Sequence, residues 1–343
     1  MKILLVGEDC LGWPMLILNA FKKMGIEADF INTHKYFKTT LINRVVNRLL
    51  PTPYYFGRGV RAVNKIVLEK VEHQNFDYII FLKPLLIYRE TILKLKKHAK
   101  IVAWYSDHAD YLRTNSTLFY KTIPLFDCYF SLIKSNVEVM TRLGAKKSAH
   151  LMITADSSYH FPVEVTSEDV NKFGADVVFI GHYADEKRAK YLEQLCRDGY
   201  DVLIYGNGWN KLGRGSCLRS KSRIRSGVFR GDMARVIGAS KIIVAFMREH
   251  NDEKIGCRTY EIPLCRGFML HERTEEAEQL LTPGVDAEFF GSYEEFRKKI
   301  DFYLKHSELR RKIAQTGYER VLNSGQLIPD RARELVELLK KEL

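Results

Sequence analysis

Residues 175–208 read ADVVFIGHYADEKRAKYLEQLCRDGYDVLIYGNG. The apolar run Val177–Ile180 ends on Gly181. The stretch from Glu186 is amphipathic at helical spacing and stops at Gly199. A second apolar run, Val202–Tyr205, then ends in a turn holding Gly206 and Gly208. A strand covered on both faces is apolar throughout rather than alternating. A glycine just past the last periodic residue is a helix stop. The stretch predicts strand, helix, strand, the repeating unit of a doubly wound parallel sheet.

The same order recurs on either side. KILLVG (2–7) is a short apolar run ending in glycine. Leu16, Ala20 and Met24 then mark a helix that stops at Gly25, and EADFIN follows as the next strand. FDYIIFL (76–82), KIVAWYS (100–106), DCYFSLI (127–133) and AHLMI (149–153) are further strands, with helices in YRETILKLKKHA and SNVEVMTRLG. After Pro162 the polar VEVTSEDVNKFG reads as a linker or a small helix. KIIVAFM, GFMLHE and AEFFGS continue the strands, and residues 292–343 are helical. The expectation is an α/β chain of two Rossmann-like domains, 1–163 and 164–322. Its last segment, 323–343, is a helix returning toward the first domain. In open parallel sheets ligands collect outside the carboxyl ends of the strands, where loops and helix N-termini meet. This places the loops after Gly7, Gly181 and Tyr205 and the segment Glu253–Glu261 around one expected central cleft.

The 343 residues suffice for two domains. With 46% hydrophobic and 28% charged residues the chain has an ordinary globular composition. No run reaches the ~18 apolar residues of a membrane span, and acidic residues follow the first apolar run too soon for a signal peptide. A cytoplasmic protein is expected, with peripheral attachment at the inner face of a membrane as a further reading. The six cysteines, at 10, 128, 196, 217, 257 and 265, show no zinc spacing and read as reduced, mostly buried thiols. No metal site is expected.

Net charge is +12 and unevenly spread. Lys35–Lys70 holds eight basic residues and one acidic residue, and Lys211–Arg248 ten and one. Such excess favours anionic partners. In LINRVVNRLL (41–50), Leu41, Val45 and Leu49 lie on one side of a helix and Arg44 and Arg48 on another. It reads either as a membrane-surface helix or as a helix whose apolar side packs on its own domain. RGSCLRSKSRIRSGVFRGD (214–232) lacks the interleaved aromatics of a nucleic-acid platform.

Several loops carry candidate chemistry beside plain structural readings. Gly181 permits close backbone approach, and Arg188 in the following helix can reach a phosphate. Any strand-to-helix turn also uses such a glycine. Tyr205–Trp209 can lay a flat backbone and an indole against a planar ligand, or be a turn. In WYSDHAD (104–110), Asp107, His108 and Asp110 sit at the carboxyl end of a strand and can serve as base or acceptor-site groups. EKIGCRTYEIPLCRGFML (253–270) places Glu253, Lys254, Arg258 and Glu261 beside an apolar run. A carboxylate suits the paired hydroxyls of a ribose, and Arg258 with Lys254 suits a diphosphate. The plain reading is a surface i, i+3 ion pair, which does not explain the apolar residues on both sides.

Asp232–Leu322 resembles the C-terminal half of GT-B fold glycosyltransferases, most closely the group with the CgeB-like spore-maturation proteins. GCRTYE, CRGFML, TPGVDAEFFGSYEEF and RRKIAQTGYERV follow that group's motifs in order. FIGHYADEKRAKYLEQL and YGNGW match the preceding elements, and only KILLVG and IVAWYSDHAD look familiar before residue 160. EIPLCRG departs from the alanine-rich turn usual after the glutamate, at Pro263 and Arg266. The resemblance implies that Glu261 binds the ribose of a nucleotide sugar and that Arg258 and Lys254 lie by the diphosphate. Gly181 and Arg188 would face the phosphates, and Tyr205 and Gly206 the base. Glu253 would be the first member of the Glu–seven residues–Glu pattern of retaining relatives, with Asp107 toward the acceptor. It implies metal-independent transfer of a sugar from a nucleoside-diphosphate sugar to an acceptor glycan, lipid-linked sugar or protein. The nucleotide sugar is then a substrate, and no cofactor is called for. Two alternatives stay open: an epimerase-like enzyme on the same fold, or a non-enzymatic binder of anionic polymer or membrane.

Overall fold

The computed structural model describes residues 1–9, 12–184, 186–221 and 223–342. Cys10, one of the six cysteines, lies outside them. The chain forms two compact units. One comprises Met1–Ile153, His250–Asp252 and Ile328–Leu343, and the other Thr154–Glu249 and Glu253–Leu327.

The first unit is built on strands β1 (Lys2–Gly7), β2 (Glu27–Asn32), β3 (Tyr78–Leu82), β4 (Lys100–Tyr105), β5 (Cys128–Ser131) and β6 (Ser148–His150), all parallel, in the order β2-β1-β3-β4-β5-β6. Leu4, Val6, Ile79, Phe81, Ile101 and Ala103 share a core with Val63, Val67 and Val71 of the Arg58–His73 helix. Their neighbours Ile3, Leu5, Ile80 and Val102 are just as buried. Both faces are covered, which is why these strands read as continuous apolar runs. AHLMI is a strand only through His150; Leu151–Ala155 continues buried without a ladder. The Ile328–Glu342 helix belongs to this unit, where Tyr78 Oη donates to the carbonyl of Leu339 at 3.4 Å.

The second unit carries β7 (Val177–Ile180), β8 (Val202–Tyr205), β9 (Ile224–Arg225), β10 (Ile242–Ala245), β11 (Met269–Glu272) and β12 (Glu288–Phe290), parallel, in the order β12-β11-β10-β7-β8-β9. The order reverses between β7 and β10, so the topological switch point, where open α/β sheets bind ligands, falls at the carboxyl ends of these two strands. The polar stretch after Pro162 contains a helix, Ser167–Phe173. A capping box closes its start: Asp169 N–H donates to Thr166 Oγ1 at 3.1 Å, and Thr166 N–H to the Asp169 carboxylate at 3.0 Å. Among the described residues no helix is long and apolar enough to cross a membrane.

Candidate functional site

At the β7/β10 switch point the backbone is drawn tight. Gly206 follows β8, and a Cβ there would run into the Gly181 carbonyl, 2.6 Å from its carbon. Only glycine permits that approach. Gly181 N–H donates to the Tyr205 carbonyl at 2.9 Å, and the Trp209 indole N–H donates to the Gly181 carbonyl at 2.9 Å. Trp209 is 1% exposed and packs edge-on against Phe179 and Tyr183. The indole therefore braces the Gly181 loop from beneath rather than covering a ligand. The Tyr205 side chain is buried as well. Its hydroxyl donates to the Phe173 carbonyl at 3.0 Å and accepts from Arg225 at 2.9 Å, and burial raises its pKa. What this loop offers a ligand is backbone.

Arg188 is likewise buried. It donates to the Met247 carbonyl at 3.1 Å and the His182 carbonyl at 3.4 Å, tying the loop after β7 to the loop after β10. A guanidinium so engaged positions the two loops. Its neighbour Lys187 bonds Glu249 at 3.0 Å and Glu272, whose other oxygen accepts from Met247 N–H at 2.9 Å. Burial opposes the ammonium charge, but the two carboxylates outweigh it and raise the Lys187 pKa.

The helix Arg258–Leu264 ends in the same place. Its first turn brings Arg258 and Glu261 onto one face. Arg258 Nε donates to the Ile180 carbonyl at 3.1 Å, so the guanidinium lies at the last residue of β7. A terminal nitrogen of the same group ion-pairs with Glu261, whose side chain is only 7% exposed. The other Glu261 oxygen lies 3.5 Å from His160 Nε2. Burial, then the Arg258 charge, lowers the His160 pKa to about 4, so the ring is neutral. Burial also lowers the Arg258 pKa. On the helix's other side Thr259 Oγ1 meets His271 Nε2 at 2.9 Å. That ring is fully buried, is bonded through Nδ1 to the Glu272 carbonyl, and has its pKa lowered by burial to about 4. The pair is thus no surface ornament: it is built into the carboxyl edge of the sheet, with its apolar flanks in the core.

Glu253 does not join Glu261. It takes a two-pronged bond from Arg248, Nε and Nη2 each at 3.1 Å, plus the Arg248 N–H at 3.1 Å. Lys254 is exposed. In the first unit, Asp107 is buried at the carboxyl end of β4 and ion-pairs with Lys83. Asn251, fully buried, accepts from His108 N–H at 2.8 Å and donates to Asp107 Oδ1 at 3.4 Å. His108 is half-buried, with Nδ1 accepting from Asp110 N–H at 3.3 Å. Among the described residues no group of three or more His, Cys, Asp or Glu side chains could hold a metal ion.

The structure brings together Gly181, Arg188, Gly206, Arg258 and Glu261 through the bonds just described. Sequence reasoning missed His160, Arg248, Lys187, Glu272, Lys83 and Asn251. Arg248 lies five residues before Glu253 and carried a readable charge. His160 and Asn251 carried no local signal, because their partners are distant in sequence.

Residues 187–337 match the glycosyl transferase-like family. No curated protein matches the chain by sequence. Among solved structures, a glycosyltransferase from Rickettsia africae is similar over 99% of this chain and 98% of its own, with a TM-score of 0.64 at 15% identity. HepE of Anabaena, solved with UDP-glucose, is similar over 99% and 100%, with a TM-score of 0.62 at 12% identity. Sucrose-phosphate synthase from Thermosynechococcus elongatus is similar over 99% and 98%, with a TM-score of 0.64 at 13% identity. These likenesses establish the GT-B fold for the whole chain, and the match to the glycosyl transferase-like family is confined to residues 187–337, which span most of the second unit.

Proposed function

We propose that the chain takes a sugar from a uridine-diphosphate donor bound at the carboxyl edge of the second sheet and passes it to an acceptor hydroxyl. The observation that carries this reading is the Arg258–Glu261 pair, held by Ile180 and His160 at the β7/β10 switch point inside the family-matched segment. The Anabaena structures with UDP and with UDP-glucose support the choice of nucleotide.

In this reading Glu261 accepts from the two ribose hydroxyls. Its carboxylate is already oriented by Arg258, so little freedom is lost on binding. Arg258 and Lys254 meet the diphosphate, together with backbone N–H groups of the Gly181 loop. As the bond from the anomeric carbon to the diphosphate oxygen breaks, its electron pair leaves with UDP. Fixed positive groups stabilise that developing charge without reorganising, with no metal required. The acceptor oxygen bonds the anomeric carbon and passes its proton to a carboxylate or imidazole base on the acceptor side. Asp107 and His108 are the acceptor-side groups. Arg188, Tyr205 and Trp209 act beneath the site, holding its loops in register.

Thermal stability against UDP, GDP, CDP and ADP tests the reading. Ligand at a hundred times its dissociation constant stabilises the native state by ~2.7 kcal/mol. UDP should raise the midpoint and the other three should not. No rise with any nucleotide overturns the donor site. A rise with UDP but no transfer or hydrolysis of UDP-sugars would leave the chain a nucleotide binder and overturn the catalytic reading. Conversion of a UDP-sugar to its isomer without acceptor would mark an epimerase.

A further inference from the structure

The helix Leu41–Leu49 is mounted inside out. Its polar side faces the protein: Asn43 is buried, donating to Thr40 Oγ1 at 3.0 Å and to the Phe56 carbonyl at 3.4 Å. Asn47 Oδ1 accepts from Tyr54 N–H at 2.8 Å, and Arg113 donates to the Asn47 and Leu50 carbonyls at 3.1 and 2.6 Å. Its apolar side faces water. Leu41 is 71% exposed, Ile42 65%, Val45 51% and Leu49 82%. At 100° per residue these four lie within about a third of a turn of one another. An apolar side packed on its own domain, one of the two sequence readings, is therefore excluded. Single exposed hydrophobics are ordinary, but a contiguous strip on an anchored helix marks an interaction surface.

We propose that this face docks on an anionic phospholipid membrane. Charge selects the occupant. Arg44 and Arg48 are exposed along one edge of the strip, and Lys35, Lys38 and Arg58 are exposed on the flanking segments. No acidic residue occurs from Lys35 to Leu68. Apolar side chains entering the acyl boundary beside basic residues at the headgroups is the chemistry of an interfacial helix lying in the membrane plane. A second copy of the chain would set the same basic flank against itself, which like charges oppose. This inference is independent of the donor site, which lies in the other unit.

Vesicle co-sedimentation of the full chain tests it. The protein should bind vesicles of phosphatidylcholine and phosphatidylglycerol at 7:3 and stay in solution with pure phosphatidylcholine. Leu41→Ser with Ile42→Ser and Leu49→Ser should lower binding to the pure-phosphatidylcholine background, with an unchanged melting midpoint because the replaced side chains are exposed. Arg44→Gln with Arg48→Gln should weaken binding about 30-fold, from about 1 kcal/mol per basic residue at an anionic surface. Absence of binding to the anionic vesicles overturns the proposal, as does a triple-serine variant that binds like the wild type. Sedimentation velocity provides a separate check. A wild-type dimer that the triple-serine variant converts to monomer would assign the face to a second copy and refute the membrane.

Discussion

Acidification should weaken the second unit through two buried histidines, and the size of the effect follows from their surroundings. Both pKa values fall from 6.5 to about 4 on folding, His160 through burial and the Arg258 charge, His271 through burial. The folded state then binds fewer protons than the unfolded state between these values. The sign is fixed: stability is full above pH 6.5 and is lost as pH falls toward 4. At pH 5 each unfolded histidine is almost fully protonated and each folded one almost neutral, which costs about 2 kcal/mol per residue relative to pH 8. Urea unfolding of the wild type, His160→Gln and His271→Gln at pH 8 and pH 5 isolates these contributions. Each variant carries a constant cost for its lost contacts, and that cost cancels in the difference between the two pH values. Carboxylates held at low pKa, such as Glu193 and Glu295, contribute equally in all three proteins. Each variant should lose about 2 kcal/mol less than the wild type on acidification. Identical losses in all three proteins would show that neither ring is neutral and buried as described, and the account of the Glu261 surroundings would fall with it.

Gly206→Ala should destabilise the second unit by about 1–3 kcal/mol, the usual cost of overpacking. The new Cβ meets the Gly181 backbone rather than a flexible side chain. UDP affinity should fall with it, and calorimetry with nucleotide titration measures both. Asn251→Ala removes a buried acceptor from His108 N–H and a donor to Asp107. The expected loss is about 1–3 kcal/mol, since a buried partner is left unmet, read as a lower melting midpoint.

The architecture was legible because burial on both faces forces continuous apolar runs, and the glycine stops of the helices punctuate them. Strand order was not. Nothing local distinguishes the order β2-β1-β3-β4-β5-β6 from β12-β11-β10-β7-β8-β9, since both arise from the same alternation of strand and helix. Side-chain pairing in the candidate site was legible where partners are close in sequence, as with Arg258 and Glu261, whose separation of three fixes one helical face. It was illegible where partners are distant, as with His160 beside Glu261 or Asn251 beside Asp107. Residue type alone misled at Trp209 and Tyr205. An aromatic after a glycine turn suggests a stacking surface, but both rings are consumed in bracing the turn from below. The helix Leu41–Leu49 shows the same limit. Its amphipathicity was readable, but the side that faces the protein depends on Asn43, Asn47 and Arg113 finding partners elsewhere in the chain.

The central claim is that Glu261 holds the ribose of a uridine-diphosphate donor. Titration calorimetry of UDP into the wild type and Glu261→Gln measures it most directly. Glutamine keeps the size of the side chain and an oxygen for Arg258 but removes the charge. Hydrogen bonds to charged groups contribute about 1.5–3 kcal/mol, so affinity should fall about 10- to 150-fold in a variant that still melts cooperatively. Equal affinity for UDP in both proteins, or no binding to the wild type, would contradict the account.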